Sequence, residues 1–463
     1  MPAGSAARAT IVSWMTRRIV PRLALGLALA LCALASTTPA GEARQTKKPH
    51  AKKTHHAQQT SALLGGVNIP GVYHGSVAAE ADSVIADAHA LHAKVVRTEV
   101  PWSVLEPVQG QIDASAQAYA DRLVSDAAAD GIRVIMVVDD TPCWASSAPI
   151  AALTSCNPYA GGEANAWPPS DPATYAAFVA YLARRYGSNL AAIEVWNEPD
   201  QSNEDYFAGP DKAERYVAVL RAAYPAIKAA NPSVAVIGGS FVGSNGEFLR
   251  LLYADGIKGY YDGLGVHFYT LTLAAVRYTH EVQLANGDTT PLWLDEFGWS
   301  SCWPQESIEQ EQDCVTPQVQ ATNLRNTFRA LARSPYVAAA LAYKLQDSTA
   351  EYFGELSSSG ARKPSFTAVA SALSSPLGAI SPITLSLRRV AGHVIASGSA
   401  PVADYMRLEV LRGKTLRYWS VFTLNRFNDY SIALPAAVSL RGLRVRVYQY
   451  WSGPAGDVEK KIS

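Results

Sequence analysis

Ile193-Glu194-Val195-Trp196-Asn197-Glu198-Pro199 is an apolar run that ends abruptly in an amide, a carboxylate and a proline. It reads as a buried parallel strand delivering Asn197 and Glu198 to its C-terminal edge, because Pro199 has no N–H with which to extend a ladder. Pro291-Leu292-Trp293-Leu294-Asp295-Glu296-Phe297-Gly298-Trp299 repeats the device, and Gly298 lets backbone and ligand approach closely. Outward from these two, the same kind of β-branched-rich segment recurs along the chain, each time followed by a helical pattern. The expected strands are Leu64–Ile69, Lys94–Glu99, Arg133–Val138, Ala191–Trp196, Val234–Gly239, Gly263–Phe268, Pro291–Asp295 and Val337–Leu345. Eight βα units in succession predict an α/β fold, the (β/α)8 barrel. A doubly wound sheet needs fewer strands and usually a glycine-rich phosphate turn, which the sequence lacks.

The helices are signalled as clearly. After the third strand, Asp171 and Pro172 supply an N-cap and a first-turn proline. Tyr175, Phe178, Val179, Leu182 and Tyr186 then form one apolar stripe, and Gly187 stops it. Those aromatics belong to the core.

Chemistry in such a barrel sits at the C-terminal ends of the strands. The residues expected there are Arg97, Glu99, Asp139, Asp140, Asn197, Glu198, His267, Tyr269, Glu296, Tyr343, Lys344 and Gln346. Alternation puts His267 and Tyr269 on one inward face, and lets only one of the adjacent Asp139 and Asp140 serve the cleft. Two glutamates at strand ends, with no metal-ligand cluster beside either, are what glycosidic bond cleavage requires. One protonates the leaving oxygen and the other attacks, which predicts carboxyl groups about 5 to 5.5 Å apart. No metal and no cofactor is expected. Trp102, Trp144, Trp167, Trp299 and Trp303 lie in or near the strand-to-helix loops, and Trp144 and Trp299 are the preferred sugar-stacking candidates.

WNEP closing the fourth strand, HFY on the sixth and LDEFGW on the seventh resemble the clan A glycoside hydrolases over residues 63–375. Within the clan, VVRTEVPWSVLEP, YKLQD and FGELSSSGARKPSF are most similar to glycoside hydrolase family 39 and its bacterial relatives. The resemblance implies Glu198 as general acid/base, Glu296 as nucleophile and Asn197 on the sugar 2-hydroxyl. It also implies that Tyr269 and His267 orient Glu296, with Arg97 beneath it. Strand eight departs from the pattern, offering Tyr343 and Lys344 where a tryptophan is common.

Of 463 residues, 48% are hydrophobic and 17% charged, ordinary for a globular chain. The formal charge of zero conceals an asymmetry. Residues 1–60 carry nine basic side chains and one acidic, leaving 31 basic and 39 acidic beyond them. An acidic folded part argues against a nucleic acid partner. Arg17, Arg18 and Arg22 precede the apolar run Leu23–Ala35, the pattern of a secretory signal peptide within residues 1–40. That run is too short to span a bilayer, so no membrane span is expected after cleavage. Residues 41–62 read as a basic flexible linker, a solubilising spacer with a possible weak attraction to a cell-wall polymer.

Four cysteines remain after the signal, an even number suited to an oxidising compartment. Three pairings exist, and the local bridges Cys143–Cys156 and Cys302–Cys314 require the least chain rearrangement. Each would stabilise by about 3 kcal/mol in the loop-entropy picture. Beyond Ser375, alternation in Ile383–Leu387, Met406–Val410 and Leu443–Val447 predicts an antiparallel β-sandwich over 376–463. It reads first as a structural module, with Tyr418, Trp419 and Trp451 as sugar-binding candidates. The whole predicts a secreted retaining glycosidase acting internally on a polysaccharide or oligosaccharide. The competing reading, a carbohydrate-binding barrel without catalysis, is disfavoured by the presence of both carboxylates.

Overall fold

The computed structural model describes residues 63–157, 162–203, 205–242, 246–269, 273–304, 314–402, 404–435, 442–449 and 457–462. The expected signal segment and linker, and the sugar-binding candidate Trp451, lie outside the described residues. Eight parallel strands close into a barrel in chain order. They are β1 (Leu64–Asn68), β2 (Val95–Glu99), β3 (Arg133–Val138), β4 (Leu190–Val195), β5 (Ala235–Phe241), β6 (Gly263–Tyr269), β7 (Leu292–Gly298) and β8 (Val337–Ala342). Closure comes from β1, which pairs in parallel with both β2 and β8. The expected strands match within a few residues. The largest departures are β7, which runs three residues past Asp295, and β8, which stops at Ala342, just before the cis Tyr343–Lys344 peptide. Beyond it Leu345 N–H still donates to Asn68 O at 2.8 Å, so the backbone stays tied to β1 without a regular ladder.

The lower barrel is filled by Val95, Ile135, Ala192, Ile237, Trp293, Ala339 and Leu341. Gly263 makes room for the indole, since a Cβ there would lie 2.4 Å from Trp293 Nε1. Two residues further along the same strands the inward positions turn polar: Arg97 follows Val95 and Glu194 follows Ala192. The helix Pro172–Tyr186 begins as expected, with the Asp171 carboxylate accepting from Ala173 N–H at 3.0 Å, and ends at Gly187. Its Tyr175 hydroxyl donates to Val138 O at 2.7 Å, and Tyr216 from the helix Lys212–Ala230 donates to Val195 O at 2.8 Å. Both tyrosines thus anchor a strand end where ladder partners run out.

The C-terminal strands are β9 (Ser386–Val390), β10 (His393–Ser399), β11 (Tyr405–Arg412), β12 (Thr415–Thr423), β13 (Asp429–Ala433), β14 (Arg444–Gln449) and β15 (Val458–Lys461). They form a three-stranded sheet, β13-β10-β9, and a four-stranded sheet, β12-β11-β14-β15. Alternate residues of both, among them Val394, Ala396, Met406, Leu408, Val445 and Val447, share one apolar core. The region is fastened to the barrel by Asn326 Nδ2 donating to Pro401 O at 2.8 Å and by Trp303 set edge-on to Phe427. The bridges Cys143–Cys156 and Cys302–Cys314 are both formed, with Cα separations of 5.9 and 5.0 Å. No helix among the described residues is long and apolar enough to cross a membrane.

Candidate active site

Arg97 is the hub of the polar layer. It is 2% exposed, and all its donors are spoken for. Nε and Nη2 grip the Glu194 carboxylate at 2.8 and 2.7 Å, Nη1 donates to Asn68 Oδ1 at 2.9 Å and to Glu296 Oε1 at 2.5 Å, and Nη2 reaches Asn197 Oδ1 at 2.9 Å. One guanidinium therefore fixes residues from β1, β4 and β7 at once. With its oxygen on Arg97, Asn197 keeps its amide N–H2 for a ligand. Asn68 in turn donates to Asp295 O at 2.8 Å, tying β1 to β7 across the barrel.

Glu198 and Glu296 are 6% and 5% exposed and stand on either side of His267. The imidazole Nδ1 lies 2.7 Å from Glu198 Oε1 and 3.5 Å from Glu296 Oε2. Tyr269 donates its phenol O–H to Glu296 Oε2, and Gln201 donates to Glu198 Oε2 at 2.9 Å. His267 thus orients Glu198 more directly than Glu296, a correction to the expected assignment. Ligand-type oxygens of the two glutamates and the ring nitrogen all lie within 4.8 Å of one another. The nearest oxygens of the two carboxyl groups thus face one another across a short gap, the arrangement that double displacement uses.

Below them, Asp295 accepts from Val266 N–H at 3.0 Å and from Ser240 Oγ at 3.0 Å, while Ser240 Oγ also lies 2.5 Å from Glu194 Oε1. Asp295 and Glu296 both turn into the mouth because β7 gains residues relative to its neighbours, with register shifts at Gly265/His267 and Leu294/Phe297. Ser240 occupies a similar shift in β5, at a positive φ of 57°. Gly265 is the space they need: a Cβ there would fall 2.4 Å from Asp295 Oδ2 and 2.5 Å from Ser240 Oγ.

The electrostatics follow from the geometry. Burial disfavours the imidazolium of His267, but the charge of Glu296 and the bond to Glu198 outweigh it and carry its pKa up to about 9. Burial likewise pushes Glu198 up, yet the bond and charge from His267 leave it below the ordinary range. The proton expected on Glu198 is thus held on the imidazole side of the pair. Burial and the Glu194 charge push Asp295 up to about 8. Glu194, His267 and Asp295 also form a metal-compatible trio, as do Glu198, His267 and Glu296, so the expectation of no such cluster beside the glutamates fails on geometry. His267 arrives from a strand 69 residues from Glu198, a proximity the sequence does not display. Arg97, Tyr269 and Ser240 already satisfy these carboxylates and account for the clustering.

A cleft of about 340 Å³ opens beside Glu296, lined by Tyr73, Arg97, Glu99, Tyr343, Lys344 and Gln346 among others. Tyr343 stands edge-on to Tyr269 at 5.5 Å. Asp139 and Asp140 were expected to diverge. Asp140 has φ +53°, and the two carboxyl groups feel each other's charge: burial and the neighbouring Asp140 and Glu99 charges raise Asp139, and burial takes Asp140 to about 6. The tryptophan candidates fare worse. Trp299 is 5% exposed and packs on Phe297, its carbonyl accepting from Gln320. Trp144 donates to Glu106 O at 3.1 Å and lines a separate groove with Phe178 and Tyr181. Neither reaches the glutamates, because loop indoles find apolar partners nearer than the cleft. Sequence reasoning also missed Tyr206, 39% exposed, whose phenol is raised by burial and by the charges of Glu198 and Glu296.

The family model that matches the chain, over residues 56–337, is described as cellulase (glycosyl hydrolase family 5). Solved structures similar to it include a family 39 glycoside hydrolase from Bacteroides cellulosilyticus WH2, 18% identical, covering 81% of each chain with a TM-score of 0.53. A monomeric β-xylosidase from Caulobacter crescentus CB15 is 17% identical and a family 30 endoxylanase from Clostridium papyrosolvens C71 is 13% identical. Each covers 81% of this chain and 95% of its own, with a TM-score of 0.50. No curated protein matches the chain. The barrel and its carboxylate-lined mouth are those of a clan A glycoside hydrolase, a class that works with retention. The chain belongs to the cellulase family, glycosyl hydrolase family 5, where the sequence motifs alone leaned towards family 39 of the same clan.

Proposed function

We propose that this hydrolase is secreted and cleaves a polysaccharide internally by double displacement, with Glu296 as nucleophile and Glu198 as acid/base. The observation that carries the assignment is the placing of an oxygen of each carboxylate within 4.8 Å across His267, with Arg97 and Tyr269 both hydrogen-bonded to Glu296. Glu296 attacks the anomeric carbon as the bond to the leaving oxygen breaks, and that oxygen takes a proton from Glu198. Water then gives its proton to Glu198 and displaces Glu296. The charge of Glu296 is the foremost favourable influence on the His267 proton, and ester formation removes it. The shared proton then moves towards Glu198 as the leaving group needs it. Asn197 offers its amide to the sugar 2-hydroxyl.

Secretion is supported by the arginines before the apolar run at Leu23–Ala35 and by two disulfides. Internal cleavage rests on the cleft continuing from Glu296 past Glu99 to Ser348. Purified protein supplied with a panel of neutral β-glucans, mannans and xylans should release an early ladder of oligosaccharides whose new reducing ends keep the substrate's anomeric configuration by proton NMR. Inverted products would refute the double displacement; release of monosaccharide alone would refute internal cleavage.

A further inference from the structure

The C-terminal sheets carry charge opposite to the barrel's. Residues 376–463 hold 12 Lys and Arg against five Asp and Glu, whereas residues 61–375 hold 19 against 34. The positive charge has a structured centre on the outer face of the four-stranded sheet. Met406, Leu408, Val445 and Val447 turn into the shared core, so alternation turns Arg407, Glu409, Arg446 and Tyr448 outwards. Trp419 on the edge strand β12 stands opposite Glu409, which stands opposite Arg446; Val421 stands opposite Arg407, which stands opposite Tyr448.

Glu409 is 5% exposed beneath this face. It pairs with Arg407 at 2.9 Å and with Arg446, and accepts from the Tyr448 hydroxyl at 3.0 Å. One buried carboxylate therefore holds two arginines in fixed positions, and Asp457 lies 3.7 Å from Arg446, so the surplus positive charge comes from the neighbouring hairpin. The Arg407 guanidinium lies 4.9 Å from the Trp419 ring centre, bracing an indole that is 54% exposed. Leu416 and Val421 beside it are 41% and 40% exposed. A face whose only task is to meet water does not brace an indole in the open. The adjoining hairpin end adds Arg412, Lys414 and Arg417, all exposed.

We propose that this outer face is a binding site for a carboxylate-bearing polysaccharide, with a sugar ring stacked on Trp419 and uronate groups paired to Arg407, Arg446 and the basic hairpin. Stacking platforms flanked by fixed guanidinium groups suit a ring that carries a carboxylate. The acidic barrel mouth, with Glu99, Asp139 and Asp140, repels the same polymer, so the site anchors the enzyme on an anionic matrix and does not feed the cleft.

Affinity electrophoresis of the full chain tests this, in gels containing polygalacturonate, neutral hydroxyethyl cellulose or neither. Retardation is expected in polygalacturonate alone, weakened about tenfold by Trp419→Ala, in line with loss of a stacking platform. Arg412→Ser with Lys414→Ser should also weaken it and flatten its salt dependence. Hydrolysis of a short aryl glycoside should be the same in all three proteins. Absence of retardation, equal retardation by the neutral polymer, an unaffected Trp419→Ala variant, or equal capture of a thymidine oligonucleotide would each overturn the proposal.

Discussion

Glu194 in the barrel mouth and Glu355 in the loop after β8 are both 0% exposed, yet the protein surrounds them in opposite ways. Glu194 is gripped by two arms of Arg97 and approached by Ser240. No well-formed hydrogen bond reaches either oxygen of Glu355 among the described residues, and burial pushes its pKa up to about 8, only partly offset by Ser365 and the charge of Lys363. Burial with a guanidinium supplies a carboxylate ready to support charge; burial without one supplies a neutral acid. The mouth extends the first solution to Glu296, which shares Arg97 with Glu194 and so faces a sugar with its charge already arranged for.

Removing that charge while keeping its hydrogen bonds breaks the mouth's half of the comparison. Glu296→Gln should lower kcat/KM by about 10⁴ or more, the loss typical of deleting a nucleophile. The unfolding midpoint should move little, because Arg97 retains Glu194. Near-wild-type turnover would remove Glu296 from the chemistry altogether.

His267→Gln sharpens it. The pair formed by His267 and Glu198 gives up its shared proton as pH rises through about 9 in the wild type. Without the imidazolium, the influence that lowers Glu198 is gone and its pKa rises, but the proton then belongs to a carboxyl alone. The alkaline limb of kcat/KM should therefore move to lower pH, and the maximum should fall about 10²-fold, within the range for general acid catalysis. A uniform drop with an unmoved limb would reduce His267 to a steric prop.

How much of this was legible in the chain follows from the same contrast. Pro199 and Gly298 mark the strand ends, so Glu198 and Glu296 announce themselves as carboxylates that interrupt apolar runs. The two disulfides were readable because each pair is local. Glu194 was hidden in plain view inside its run, since nothing local tells a buried ionic residue from a strand edge. Ser240 and Asp295 depend on register shifts between Gly239 and Phe241 and around β7, and a one-residue shift reverses which face a side chain takes. The indoles failed for another reason: Trp299 found Phe297 two residues before it, and spacing cannot rank a packing partner against a sugar.

The smallest expected effect tests the other half. In the unfolded chain Glu355 titrates near 4.5, and in the folded protein near 8. Between those values the native state binds the additional proton, so the contribution of Glu355 to stability is greatest below pH 4.5 and declines as pH rises to 8. The shift sets an upper bound of about 4–5 kcal/mol, and water entry on ionisation brings the expected loss to about 2 kcal/mol. Glu355→Gln holds the shape without the charge, so it should match the wild type at pH 4.5 and exceed it progressively to pH 8. Urea midpoints of both proteins at pH 4.5, 6 and 8 measure the difference directly, since every other titrating group is common to the two. A gap that stays constant across that range would mean that Glu355 is partnered after all, and that the loop solvates its acid as the mouth does.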